Sequence, residues 1–291
     1  VIAAFAIAMC SAPASAQDWR YHRLESALRD ARGQYRIPGL AAAVVEDGRV
    51  VWRFTSGNLS AEALHDVASL TKTMASVLIL QEIEAGRLKL TDPVPALPGV
   101  QLRQLLSHTS GPGQAFHYDN ARFHLLTALL ERRAGAPFPE LLRQRVFRPA
   151  RMTASRPSFS AAAGVLASLD DLARYAAALD TRTLLRDRSK SLMWTPARPD
   201  IPYGLGWFAT SRHGEKVAWH YGLDGPSSSL IIKVPTKKIS LIVLANSAHL
   251  GEEFHHPLPD LFRSRIARVF LDSSFNQFEG LLVATASAHQ R

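Results

Sequence analysis

A serine followed three residues later by a lysine, Ser69-Leu70-Thr71-Lys72, is the only S-x-x-K in this chain of 291 residues. Residues three apart share one face of a helix, so a helix beginning here sets a hydroxyl beside an amine. At the helix mouth the serine meets the positive end of the dipole, and its own N–H can face a developing oxyanion. One turn inward, beside Met74, Val77 and Leu78, the Lys72 amine is expected to be desolvated. Burial lowers an amine's pKa toward the range where it can take the serine's proton. The same letters also fit an N-cap serine with a lysine reaching out to water, so the motif alone decides nothing.

Tyr118-Asp119-Asn120 is the only Y-x-N and follows Pro112-Gly113, in a stretch that can loop back to that helix mouth. A tyrosine near a cation and a serine can relay a proton to a leaving group, and Asn120 can hydrogen-bond a substrate amide. An Asn-containing helix cap is the plainer alternative. Trp219-His220-Tyr221-Gly222 ends a β-rich run. An edge strand there can align a substrate by strand addition. Gly222 allows close approach, and the N–H of Leu223 can complete an oxyanion hole with that of Ser69. His249-Leu250-Gly251 repeats the H-x-G letters, but in a loop that leads to a helix.

The elements that must hold these residues follow from periodicity. Trp19 to Arg32 has helical spacing, and Leu40–Val45 and Arg49–Phe54 flank an Asp-Gly turn, which predicts a hairpin. Ser69–Ala85 is apolar on nearly every side and stops at Gly86, which predicts a buried central helix. Helical stretches are expected at Phe123–Glu131, Phe138–Arg145 and Leu169–Leu179. Strands are expected at Tyr203–Thr210, Lys216–His220, Ser228–Val234 and Ile239–Leu244, then a helix over Leu258–Leu271 and a polar tail after Asp272. Strands at both ends with helices between predict an α+β fold with one antiparallel sheet. Residues 17–66 and 200–291 would form a discontinuous sheet domain, and 67–199 a mainly helical one.

Val1–Met9 is an unbroken apolar run closed by Ala14-Ser15-Ala16. This pattern predicts a signal peptide over residues 1–16, and hence a periplasmic or secreted protein. Without a basic n-region, its true start is expected to lie elsewhere. Cys10, the only cysteine, falls inside this segment, where a lipid anchor is a minor alternative beside the poor neighbour Met9. A mature chain without thiols excludes disulfides, thiolate zinc sites and cysteine nucleophiles. The net charge of +9 is dispersed along the chain rather than clustered, which argues against nucleic acid and leaves room for association with anionic cell-wall polymers. No transmembrane helix is expected in the mature chain.

Taken in order, S-x-x-K, Y-x-N and H-x-G resemble the serine β-lactamase and penicillin-binding protein superfamily, in its class C-like branch. Asp66–Thr73, Leu105–Gly111 and Tyr203–Trp207 resemble hallmarks of that family as well. The resemblance implies a β-lactamase/transpeptidase-like fold and a cofactor-free serine hydrolase acting through an acyl-enzyme. Ser69 would be the nucleophile, and Lys72 and Tyr118 a coupled base and acid. Asn120, His220, Tyr221 and Gly222 would contact substrate, and the N–H groups of Ser69 and Leu223 would form the oxyanion hole. Many relatives carry lysine and then threonine or serine where this chain has His220 and Tyr221. A neutral imidazole and a bulky phenol would grip a carboxylate less strongly, leaving ester and D-peptide substrates open beside β-lactams.

Other chemistries find less support. No G-x-S-x-G marks an α/β-hydrolase, and His108 between Ser107 and Ser110 reads as a structural loop residue. No H-E-x-x-H is present, and Glu252-Glu253 with His255-His256 reads as a solvated loop, so no metal is expected. Tyr203, Trp207 and Trp219 could line a cleft, though strand aromatics are more often core. A penicillin-recognising fold used as a non-catalytic sensor is the competing class of function.

Overall fold

The computed structural model describes residues 15–254 and 260–275, so the expectations for residues 1–14, Cys10 and His255-His256 lie outside the described residues. Helix α1 spans Ser15–Gln34, and the hairpin β1 (Gly39–Glu46) and β2 (Arg49–Gly57) follows. Its turn at Asp47 and Gly48 has both φ angles positive, at 46° and 78°, as a primed hairpin turn requires. A two-residue strand β3 (His65–Asp66) leads into a 3₁₀ turn, Ala68–Leu70, and the central helix α2 (Thr71–Glu84). The middle of the chain is helical: α3 (Leu102–Leu106), α4 (Asn120–His124), α5 (Leu126–Ala134), α6 (Phe138–Leu142) and α7 (Arg148–Ala150). Strand β4 (Leu166–Ala167), α8 (Leu169–Asp180) and α9 (Asp187–Met193) complete it. Then come β5 (Phe208–Arg212), β6 (Glu215–Asp224), β7 (Ser227–Val234), β8 (Ile239–Ala245) and α10 (Arg265–Phe275).

The main sheet has the order β2-β1-β8-β7-β6-β5, with every pair antiparallel. The β1–β8 ladder, Leu40 opposite Ala245 through Glu46 opposite Ile239, joins the two ends of the chain. The fold is α+β. Side chains alternate across each strand and feed two cores. Ala41, Ala43, Ile231 and Ile242 face the helical region around α2, whereas Leu40, Ala42, Leu230 and Leu241 pack with Leu24, Leu28 and Phe270 of α1 and α10. A sheet covered on both faces explains why β1, β7 and β8 are almost wholly buried.

Helix α2 is buried from Thr71 through Leu80, and its mouth begins as a tighter turn than the expected continuous helix. The expected strand at Tyr203–Thr210 is shorter: β5 begins only at Phe208, and Tyr203–Trp207 forms a turn instead. Packing is the reason. Gly206 has φ 74°, and a Cβ there would lie 1.9 Å from Ser76 Oγ and 2.9 Å from the Lys72 carbonyl, so this turn is pressed onto α2. The expected Phe138–Arg145 helix is interrupted by a wider turn at Arg143–Phe147. The closing helix starts later than expected and continues past Asp272 to Phe275.

Candidate active site

Ser69 is half-buried in the 3₁₀ turn that opens α2. The segment before it is tightly held. Val67 N–H donates to the Val165 carbonyl at 3.0 Å, and Ala68 N–H to Asp66 Oδ1 at 2.7 Å. Ala68 sits in the left-handed region at φ 47°, a conformation that costs a non-glycine residue energy and persists only where surroundings enforce it. The strain falls on the residue immediately before the hydroxyl.

Lys72 is fully buried. Its Nζ lies 3.0 Å from Ser69 Oγ, 2.7 Å from Asn120 Oδ1 and 2.7 Å from the Ala162 carbonyl. None of these three partners is a carboxylate, and burial lowers the amine's pKa from its usual 10.5 to about 7. The geometry suits the neutral form. An uncharged –NH2 has two protons and one lone pair. Asn120 and Ala162 offer only acceptor oxygens and take the two protons, which leaves the lone pair for the Ser69 hydroxyl.

Tyr118 shares a side-chain hydrogen bond with Ser69, and Lys72 Nζ lies 4.9 Å from the centre of its ring. Burial raises the Tyr118 pKa far above its ordinary value, so the phenol keeps its proton at neutral pH. Asn120 is exposed and begins α4, whose N-cap is Asp119. The structure thus brings Ser69, Lys72, Tyr118 and Asn120 into one cluster.

The third motif approaches from β6. This strand pairs with β5 only as far as Trp219, so His220–Asp224 run past the end of β5 with β7 on the other side. A Cβ at Gly222 would lie 2.2 Å from the Val67 carbonyl, which puts the β6 backbone hard against the turn that carries Ser69. Leu223, the residue whose N–H was expected to complete the oxyanion hole, follows directly.

His220 and Tyr221 are both placed inside the protein. His220 has no exposed surface, with Nδ1 2.7 Å from the Tyr221 carbonyl and Nε2 2.7 Å from the Tyr203 hydroxyl. A carbonyl only accepts, so Nδ1 carries the proton and Nε2 accepts from Tyr203. Burial, with a smaller effect of Lys72, lowers the His220 pKa to about 3, so the ring is neutral and both nitrogens are occupied. Tyr221 points to the opposite face, its ring centre 5.6 Å from that of Phe254 and 5.8 Å from that of Phe208. Tyr203, Trp207 and Trp219 are buried core residues. His249 is exposed and bonded to Glu252 at 2.7 Å. Among the described residues, no cluster of metal-ligating side chains and no helix long and apolar enough to cross a membrane is found.

Sequence reasoning missed two contributors. The Ala162 carbonyl holds Lys72, and a backbone acceptor has no side-chain signature. Tyr203 saturates His220 from 17 residues away, a partnership that its reading as a cleft-lining or core aromatic does not contain.

The Beta-lactamase family model matches residues 24–259. The chain belongs to the beta-lactamase family. The relatives it matches include serine hydrolases such as a D-aminopeptidase, and the solved structures agree on the fold. The octameric penicillin-binding protein homologue from Pyrococcus abyssi aligns with a TM-score of 0.73 at 21% identity, over 86% of this chain and 76% of its own. The D-alanine carboxypeptidase AmpC from Burkholderia cenocepacia aligns with a TM-score of 0.71 at 20% identity, over 88% of this chain and 99% of its own. Among curated proteins, a D-aminopeptidase of Gluconobacter oxydans is 23% identical over 77% of this chain, and Protein flp of Staphylococcus aureus 21% identical over 72%. Those matches span only 58% and 60% of the relatives' own lengths.

Proposed function

We propose that this beta-lactamase-family chain hydrolyses esters or D-amino-acid amides through an acyl-enzyme on Ser69. One observation carries the reading: the buried Lys72 amine has two carbonyl oxygens for its protons and Ser69 Oγ at 3.0 Å for its lone pair. Neutral Lys72 takes the hydroxyl proton as Oγ adds to the substrate carbonyl. The N–H groups of Ser69 and Leu223 hold the oxyanion. The proton then passes by way of the Tyr118 hydroxyl to the leaving group, a role suited to a phenol that does not ionise at neutral pH. Water releases the acyl group, and the exposed Asn120 amide orients the substrate.

The occupied, neutral His220 argues for substrates without a carboxylate to be gripped at the third motif, hence for esters and amides over β-lactams. The similarity to a D-aminopeptidase supports the D-amino-acid branch of this reading. The apolar Val1–Met9 run and its A-x-A triplet support export, and the dispersed positive charge supports contact with the cell wall.

The test is a panel of aryl and alkyl esters, D-alanine anilide and a chromogenic cephalosporin, with wild type and Ser69→Ala. We expect turnover of esters or the anilide to exceed that of the cephalosporin, and none by the variant. Retained turnover in Ser69→Ala overturns the mechanism, and faster cephalosporin hydrolysis overturns the substrate class. Stable labelling by a fluorescent penicillin without turnover of any substrate would instead make it a sensor.

A further inference from the structure

His108 lies outside the reacting cluster, yet it holds the segment that carries Tyr118 in three ways. Its backbone carbonyl accepts from His117 N–H at 2.8 Å. Its Nδ1 accepts from Asp119 N–H at 3.1 Å. Between these two anchors its ring stacks on the Tyr118 ring, with centres 4.3 Å apart and planes 28° from parallel. The three residues tied or stacked are consecutive, and the middle one supplies the phenol.

His108 itself is fixed. It is buried, 2% exposed, and adopts φ 55°, the left-handed region. The Phe123 ring lies 5.1 Å away and the Tyr203 ring 5.0 Å away. Because Nδ1 must accept, its proton resides on Nε2 in the neutral ring, and burial reinforced by Lys72 keeps that ring neutral. A protonated ring would lose its acceptor for Asp119.

We infer that His108 is a positioning residue that sets the Tyr118 hydroxyl against Ser69 by clamping residues 117–119 and stacking on the phenol. This rests on the acyl-enzyme reading above. Catalytic groups must be held close to their productive geometry, and a misplacement near 1 Å costs roughly 10²-fold in rate. Two variants separate the contributions: His108→Phe keeps a ring to stack but removes the Nδ1 acceptor, whereas His108→Asn keeps an acceptor oxygen near that point and removes the ring.

The experiment is a double-mutant cycle with Tyr118→Phe, reading kcat and KM for an alkyl ester and an aryl ester, with thermal melts of each variant. If His108 acts through Tyr118, His108→Phe lowers kcat for the alkyl ester by roughly 10²-fold with little change in KM. The aryl ester, whose leaving group needs less help from a proton, should lose much less. In the Tyr118→Phe background the same change should cost less than about twofold, because the group being positioned is already gone. His108→Asn should recover part of the loss. Equal losses in both backgrounds, equal losses for both esters, or wild-type kcat in His108→Phe overturn the inference. Should His108→Phe fail to fold, the same cycle run with His108→Asn decides by the same criteria. Full activity in a Ser69→Ala control would instead overturn the acyl-enzyme reading, an outcome the cycle keeps distinct.

Discussion

Gly222→Ala puts the closest backbone approach in the site under direct test. Its Cβ would lie 2.2 Å from the Val67 carbonyl and 2.5 Å from Ser229 Oγ, whereas ordinary contact begins near 3.4 Å. Rotating the serine away does not solve this, since Ser229 Oγ donates to the Val67 carbonyl at 2.8 Å and the carbonyl itself is backbone. Restoring ordinary contact therefore requires β6 and the Val67–Ser69 turn to part by about 1.2 Å. An oxyanion donor works only within a few tenths of an ångström of hydrogen-bond distance, and losing one costs about 10²–10³ in kcat. We expect kcat for an ester to fall by that order, with overpacking costing about 1–3 kcal/mol of stability. Steady-state kinetics and urea unfolding read the two effects. Gly33→Ala, with no atom within 4 Å of its new Cβ, is the control: kcat should not change, and stability should hold or rise by up to about 1 kcal/mol, as for a glycine replaced within a helix. A Gly222→Ala enzyme with near wild-type kcat would refute the argument that this contact places Leu223 at the nucleophile.

Because the Lys72 amine must be neutral, kcat/KM should fall about tenfold per pH unit as pH drops below its pKa of about 7; a flat profile between pH 5 and 7 would contradict this. The same depressed pKa makes the unfolded chain bind more protons between about pH 7 and 10.5. Stability should therefore rise with pH across that window, by up to about 1.4 kcal/mol per unit, and urea titrations of wild type against Lys72→Met measure the difference. Tyr203→Phe leaves His220 Nε2 buried without its donor and should cost about 1–3 kcal/mol in urea unfolding. Lys233, fully buried and 2.6 Å from Asp180, ties the sheet to α8. Lys233→Met should cost about 3–5 kcal/mol by stranding the carboxylate, and adding Asp180→Leu should recover most of it.

The parts of the site that were legible in the sequence are those whose side chains carry both the chemistry and the spacing. Ser69 and Lys72 sit three apart at the start of an apolar run, so helix geometry alone sets them together. The near-continuous apolar runs at Leu40–Val45, beside an Asp-Gly turn, and at Ile239–Leu244 gave away the strands that join the chain ends. What stayed hidden is built from backbone and from distant partners. Ala68 adopts a left-handed φ that nothing in an alanine announces. Ala162 contributes only its carbonyl. Tyr203–Trp207 reads as a strand by its aromatic spacing, yet Gly206 turns it onto α2, a tertiary contact that overrides local pattern. His220 carried the letters of a substrate contact, and only the fold shows that Tyr203 and the Tyr221 carbonyl occupy both nitrogens. His108 looked like a loop histidine because its partners, Tyr118 and Asp119, come within reach only when that loop closes.

The central claim is that the Ser69 hydroxyl is made reactive by an uncharged Lys72. Fluorophosphonate labelling followed by intact-protein and peptide mass spectrometry, run side by side on wild type and Lys72→Met, tests it most directly. The account predicts one adduct, on the peptide containing Ser69, forming readily in the wild type and almost not at all in the variant. An adduct on another serine such as Ser107 or Ser110, or equal labelling of both proteins, would contradict it.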